Sequence, residues 1–438
     1  MSSLKDRFID AIRGGVLETR LETSAAAFLE RRSKDAAAAR LDGGVLSGLA
    51  RVLASQPMVA GFLSHRPQLL ERIANSDTTT LAARAKEFEA ASDENSDDLE
   101  TALDALRIFK REETCLAACL DLGRVIPFEG ISEFLSVLAE TIARRALRLA
   151  QDELGGAPAV SDFAVLGMGT IAGREFTYHS DLDLIFLCSR VSDDISVTSR
   201  VGQRMISYLA NMTGAGIAYA VDTRLRPSGC QGVLVTSFDR FESYQLENAE
   251  TWEHMALLRA RAIAGKKDDA QNMLDNVRQK VLASSANPWK YVEELRGKVE
   301  RERARPSEHT IALKTGRGGL MDIDFLAACG VLEVRPNRFP LVPSVPAMLN
   351  TVAQGSKVEQ LLEDYALLRL VESRARLIAG RSVEDARTDG DELALLGELV
   401  DPNIESAALL EAVSEAQERI RTAFDAVVQR DTISALSG

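Results

Sequence analysis

The fold class predicted is mostly α, with a small α/β unit between an N-terminal helical region and a C-terminal helical bundle. Three observations predict it. Apolar residues recur at spacings of three and four over long stretches at both ends. Between them the texture changes to short, β-prone apolar runs punctuated by glycine. The chain, at 438 residues, is too long for one core, and a prior of roughly 100–200 residues per domain gives two or three. The predicted divisions are residues 1–155, 156–270 and 271–438.

The elements follow in order. "LSGLARVLASQP" reads as a helix stopped by Pro57, and "MVAGFLSHRPQLLERIAN" carries apolar residues at helical spacing. "DDLETALDALRIFKREETCLAACLDL" places Leu99, Leu103, Leu106 and Phe109 on one helical face, and "ISEFLSVLAETIARRALRLAQDEL" repeats the pattern. Nothing in this part looks catalytic; it reads as a scaffold or partner surface. Gly155, Gly156 and Pro158 then break the helix. "DFAVLGMG" and "SDLDLIFLCS" read as strands, "VTSRVGQRMISYLANMT" as an amphipathic helix, and "GIAYAVDTRLRP" as a third strand stopped by Pro227. These give a short mixed sheet. Asn287 is placed as an N-cap with Pro288 at the first helical position. "KVEQLLEDYALLRLVESRARLIAG" and "ESAALLEAVSEAQERIRTAFDAVVQR" complete the C-terminal bundle.

Composition narrows the function. With 46% hydrophobic and 27% charged residues a packed core is available, so global disorder is excluded. A net charge of -13 is the reverse of a nucleic-acid footprint and disfavours anionic membranes. It leaves a local basic cleft open. No apolar run reaches 18 residues, so no transmembrane helix is expected. "MSSLKDRFIDAIRGGVLETR" has no apolar signal core. The five scattered cysteines include Cys115 and Cys119 one helical turn apart, read as small buried helix residues. Cytoplasmic localisation is the expectation.

The chemistry centres on Asp181 and Asp183 in "SDLDLIFL". Residues i and i+2 of a strand point to the same side, so the two carboxylates project together. Held that close they repel, and burial is costly unless a hard cation such as Mg²⁺ compensates. That suggests phosphoryl or nucleotidyl transfer. The plain alternative is an edge strand with solvated carboxylates. Three neighbours favour the site. "GMGTIAGRE" supplies Gly167, Gly169 and Gly173, whose backbone N–H groups are placed against a phosphate. "VDTRLRPSG" supplies Asp222 as a third carboxylate. Arg224 and Arg226 follow at the same alternation, on the same face, as phosphate ligands; surface ion pairing is their other reading. The glycine spacing is not that of a dinucleotide fold, so hydride transfer ranks well behind.

Glycine turn, paired aspartates on a strand and a third acidic strand resemble the DNA polymerase β-like nucleotidyltransferase superfamily. "VLGMGTIAGREFTYHSDLDLIFL", "VDTRLRPSGCQGVLVTSFDRFESYQLENAETWEHMALLRARAIAG" and "KTGRGGLMDIDFLA" are more closely similar to the glutamine synthetase adenylyltransferase family. "LRIFKREE" and "FLSHRPQLLERI" extend the resemblance over about residues 45–430. The family carries two similar halves, one attaching AMP to a tyrosine of glutamine synthetase and one removing it by phosphorolysis. This chain has one motif set. "RLRPSG" and "ETWEHMALLRAR" look like the adenylylating half.

The resemblance implies ATP as donor and Mg²⁺ as metal. It assigns Asp181, Asp183 and Asp222 to Mg²⁺ and catalysis, with Asp222 near the tyrosine hydroxyl. Gly167, Gly169, Gly173 and Ser180 would line the phosphates, and Arg224 and Arg226 would balance pyrophosphate. Glutamine synthetase is the implied partner, with regulation by a PII-type protein. Thr170 stands where the family usually has lysine, Ala172 where it has glycine, and Asp324 where it has glutamate. Two lesser features stay open: His179 as a phosphate contact or a solvent-facing turn residue, and Lys314, Arg317, Gly318, Gly319 and Asp322 as a closing loop or a turn leading into a helix. Trp252, Glu253 and His254 read as packing. AMP removal is the runner-up activity, and a non-catalytic regulatory module the rival from another class.

Overall fold

In the computed structural model, residues 3–91, 98–155, 162–189, 195–302 and 309–436 are described. Gly156 and Pro158 lie outside them. The sheet comprises β1 (Phe163–Met168), β2 (Leu182–Cys188), β3 (Val221–Asp222), β4 (Val235–Ser237) and β5 (Ala260–Gly265). Its order is β3-β2-β1-β5, with β4 also on the outer edge of β2. β1 runs antiparallel to β2 and β5, while β3 and β4 run parallel to β2. The sheet is mixed, as expected.

Period-two alternation decides which way β2 faces. Leu182, Leu184 and Phe186 enter a core shared with the N-terminal helices. Ile185 and Leu187 enter a second core shared with the C-terminal helices. Asp183 has the parity of Ile185 and Leu187, so it points toward the C-terminal side. Five buried apolar side chains at roughly 1.5–3 kcal/mol each hold the strand in place despite the cost of its carboxylate.

The long N-terminal helices form where the three-and-four spacing places them. Leu99–Leu122 is capped by Asp98, which accepts from the Thr101 N–H at 3.0 Å. Phe128–Glu153 follows Pro127 and packs on Ile195–Ala210. Gly48 lets helix Gly43–Ser55 lie against the Cys119 backbone; a Cβ there would fall 1.8 Å from the Cys119 carbonyl oxygen. Cys115 and Cys119 are buried free thiols. "MVAGFLSHRPQLLERIAN" divides into Pro57–Ser64 and Pro67–Ala74. Pro67 has no N–H to continue the first helix, and it moves Arg66 to φ -130°. Among the described residues no single helix is long and apolar enough to cross a membrane.

The C-terminal region holds Trp289–Glu302, Leu320–Val334, Ser356–Ala379 and Ser406–Arg430. The Asn287 side chain accepts from the Trp289 N–H at 3.0 Å, the bond expected of an N-cap two residues ahead, and the regular helix runs from Trp289, one residue after the position expected. Two short strands, β6 (Thr310–Ala312) and β7 (Asp385–Arg387), pair antiparallel beside this bundle. Helix Lys267–Ser284 spans the division drawn at residue 270 and packs on β1 and β5. A buried ionic junction ties helix Leu99–Leu122 to helix Ser356–Ala379. Arg374 donates to both oxygens of Asp121, at 2.5 and 2.7 Å, and Tyr178 donates to Asp121 at 2.8 Å.

Candidate active site

Asp183 and Asp222 stand side by side in the parallel register of β2 and β3. Both line a cleft of about 690 Å³ between the sheet and the C-terminal helices, with Trp252, Arg259, Lys298 and Asp324 in its walls. Asp181 is exposed, one residue before β2. Burial, then the Asp222 carboxylate, push Asp183 up to about 6; Asp181 adds to the rise and Lys314 opposes it. The predicted concentration of negative charge is therefore present at this point.

The third strand is shorter than expected. It ends at Asp222, whose Oδ1 accepts the Arg224 N–H at 2.8 Å and turns the chain out of the sheet. The shared face expected of Asp222, Arg224 and Arg226 does not form. Arg224 folds back on Asp222, donating through Nε at 2.8 Å, and holds that carboxylate below its ordinary range. Arg226 donates to the Thr223 carbonyl at 2.9 Å and to the Gly232 and Cys230 carbonyls, so it closes its own loop and does not face the carboxylates. Among the described residues no three His, Cys, Asp or Glu side chains converge in metal-ligand geometry.

The glycine turn lies beside Asp183 but is built differently from the expectation. Gly169 has φ +58°, and a Cβ there would sit 3.7 Å from Asp183 Oδ2, so the turn passes close to the carboxylate. Its N–H is donated to the Arg259 carbonyl at 2.8 Å, and the Gly173 N–H to the Gly169 carbonyl at 3.0 Å. Gly167 is a packing residue in β1 against Ile171 and Ile263. Ser180 is buried and turned inward, bonded to Thr177 and to Arg376 Nη1 at 2.9 Å. None of these four groups presents the free donor that the sequence reading gave it.

His179 is an exposed turn residue with φ +55°. The "KTGRGG" turn is a lead-in to helix Leu320–Val334. Gly318 abuts the Gln417 backbone, Arg317 pairs with Asp425, and buried Asp322 accepts from Arg296. Trp252, read as packing, lines the cleft instead, while His254 and Glu253 make helix contacts.

Sequence reading missed the groups that brace the site from behind. Arg259 donates to Asp324 Oδ1 at 2.6 Å and to Glu175. Glu175 also accepts from Tyr365 Oη at 2.7 Å and from the Val345 N–H. Arg261 donates to the Ala172 carbonyl at 2.9 Å and to Glu140. The two-residue arginine repeat in "LLRARAIAG" was the available signal, because buried guanidinium groups require acidic partners.

The chain as a whole is similar in sequence to known proteins. The chain matches the glutamate-ammonia ligase adenylyltransferase family over residues 46–276, more than half its length. It belongs to that family. A bifunctional glutamine synthetase adenylyltransferase/adenylyl-removing enzyme of Nitrosococcus oceani is 36% identical over 374 residues, covering 76% of this chain and 38% of that protein. The same-named protein of Thioalkalivibrio sulfidiphilus is 33% identical over 327 residues, covering 68% and 34%. That of Neisseria meningitidis serogroup B is 35% identical over 294 residues, covering 64% and 32%. The chain thus spans under two fifths of these adenylyltransferase relatives. The family match includes the glycine turn, β2, β3 and Arg259; Asp324 lies beyond it.

Proposed function

We propose that this chain is a nucleotidyltransferase that attaches AMP from ATP to a tyrosine of glutamine synthetase. The observation that carries the reading is the register pairing of Asp183 with Asp222 at the mouth of a cleft large enough for a nucleotide. The relatives' names supply the acceptor. The carboxylates suit Mg²⁺, which takes one or two carboxylates and completes its shell with water and phosphate oxygens. Burial first, and then the neighbouring carboxylates, raise Asp183, and a cation held there would relieve both costs. Asp183 and Asp181 would hold it, and Asp222 once Arg224 lets go. When bound, the ion neutralises phosphate charge and favours in-line displacement at the α-phosphorus.

The residues of the chain do the rest. Gly169 leaves room for a ligand against Asp183. Arg224, exposed and beside Asp222, is placed to meet the leaving phosphates after exchanging partners. Trp252 and Phe325 give the cleft an apolar wall for a base or an acceptor ring. A PII-type regulator remains part of the reading through the family alone.

Labelled AMP from α-labelled ATP, purified glutamine synthetase and Mg²⁺ make the direct test, with Asp183→Ala as control. Transfer that depends on Asp183 upholds the reading. Phosphate-dependent release of ADP from adenylylated synthetase, without forward transfer, would replace it with AMP removal. Failure to bind ATP would leave a regulatory module.

A further inference from the structure

Asp324 is a cleft carboxylate to which neither the paired-aspartate motif nor the metal reading gives work. It lies in the first turns of helix Leu320–Val334 and shares the cleft wall with Asp183 and Asp222. Its two oxygens differ. Oδ1 accepts from Arg259 Nη1 at 2.6 Å, while Oδ2 has no hydrogen-bond partner among the described residues. A third of the side chain, 33%, is open to the cleft.

Asp324 is also held firmly. Arg259 is 8% exposed, and its second Nη is bound to Glu175, which Tyr365 and the Val345 N–H grip in turn. The Arg259 carbonyl accepts the Gly169 N–H, so one residue braces both the glycine turn beside Asp183 and the carboxylate across from it. Asp183 and Asp324 line the same cleft, which places the two acids around one space. Asp222 is poorly suited to take a proton. Arg224 engages both its oxygens, and a carboxylate given over to a cation is a weak base.

We propose that Asp324 is the general base of adenylyl transfer, accepting the proton of the acceptor hydroxyl on Oδ2. The proposal rests on the adenylyl-transfer reading above. As the tyrosine oxygen forms its bond to the α-phosphorus, the bond from that phosphorus to the oxygen bridging to the β-phosphate breaks. Pyrophosphate leaves with that electron pair, and the tyrosine proton ends on Asp324. Arg259 is a positioning residue, occupying Oδ1 so that Oδ2 faces the acceptor. Burial raises Asp324 above the ordinary carboxylate range against the pull of Arg259, in the direction that strengthens a base.

The test compares wild type, Asp324→Asn and Asp324→Glu. Asparagine keeps an oxygen for Arg259 but cannot accept the proton. Single-turnover AMP transfer is measured to glutamine synthetase carrying its own acceptor tyrosine or a fluorinated, more acidic one, and Mg·ATP binding is followed by calorimetry. Asp324→Asn should lose about 100-fold or more in rate, with ATP affinity within about twofold of wild type. The loss should shrink about tenfold with the fluorinated acceptor, and Asp324→Glu should recover part of it. A defect from misfolding or misplacement would be the same for both acceptors. An Asp324→Asn rate within about threefold of an active wild type, or equal losses with both acceptors, overturns the base assignment alone. A wild type that transfers no AMP overturns the parent reading, and this one with it.

Discussion

Arg224 grips Asp222 on both carboxylate oxygens, its backbone N–H on Oδ1 at 2.8 Å and its Nε on Oδ2 at 2.8 Å. The guanidinium therefore occupies the Asp222 oxygen that a cation shared with Asp183 would need. Removing it should open the site to metal and cost the phosphates a partner. Arg224→Gln should bind Mg²⁺ more tightly without nucleotide. An exposed ion pair is worth about 0.2–1 kcal/mol, so the gain should not exceed about fivefold. AMP transfer should fall in the same variant. Calorimetry with Mg²⁺ alone decides; unchanged affinity would mean that arginine and metal do not compete.

Asp183 gives a pH-dependent signature in the metal-free protein. Its folded value of about 6 lies above the ~3.9 of an unfolded chain. Between those values the folded state keeps a proton that the unfolded state has lost. Stability therefore falls as pH rises through that window, and the whole cost stands above about pH 6. Asp183→Asn, neutral throughout, should melt higher than wild type at pH ~7.5 and by much less at pH ~4. It should also lose AMP transfer. Equal melting temperatures at the higher pH would refute the burden assigned to this carboxylate.

The Arg374–Asp121 junction should be among the most expensive pairs to break. Asp121→Ala leaves a buried guanidinium with no carboxylate and a buried Tyr178 hydroxyl with no acceptor. Loss of one partner of a buried pair costs about 3–5 kcal/mol. Urea denaturation should show a lower midpoint with little change in slope. A loss below about 1 kcal/mol would indicate that water replaces the carboxylate.

Gly48→Ala tests the tight helix contact in the N-terminal region. The added methyl would meet the Cys119 carbonyl, a backbone atom that cannot swing aside. Overpacking of this kind costs about 1–3 kcal/mol. Thermal melting should drop, while the Mg·ATP affinity of the folded protein stays as it was.

Periodicity made the long helices legible, since Leu99–Leu122, Ser356–Ala379 and Ser406–Arg430 form where apolar spacing places them. The strand parity that aims Asp183 was legible for the same reason. The end of β3 was not, because the Asp222 side chain turns the backbone before the apolar pattern ends. Ser180 was misread because its partner, Arg376, lies 196 positions along the chain. Arg259 reaches Glu175 and Asp324 across 84 and 65 positions. A sequence displays such groups but not their pairing, and in the folded chain the Gly169 and Gly173 N–H groups and the Ser180 hydroxyl are engaged by internal partners.

The strand bearing Asp183 is a common wall: Leu182, Leu184 and Phe186 seal one core, and Ile185 and Leu187 the other. Neither core can melt and leave β2 intact. Unfolding is therefore expected as one cooperative transition, not a succession of domain melts. Trimming either helical flank to isolate the central unit would strip one face of its sheet. The smallest folding unit of this region includes both flanks.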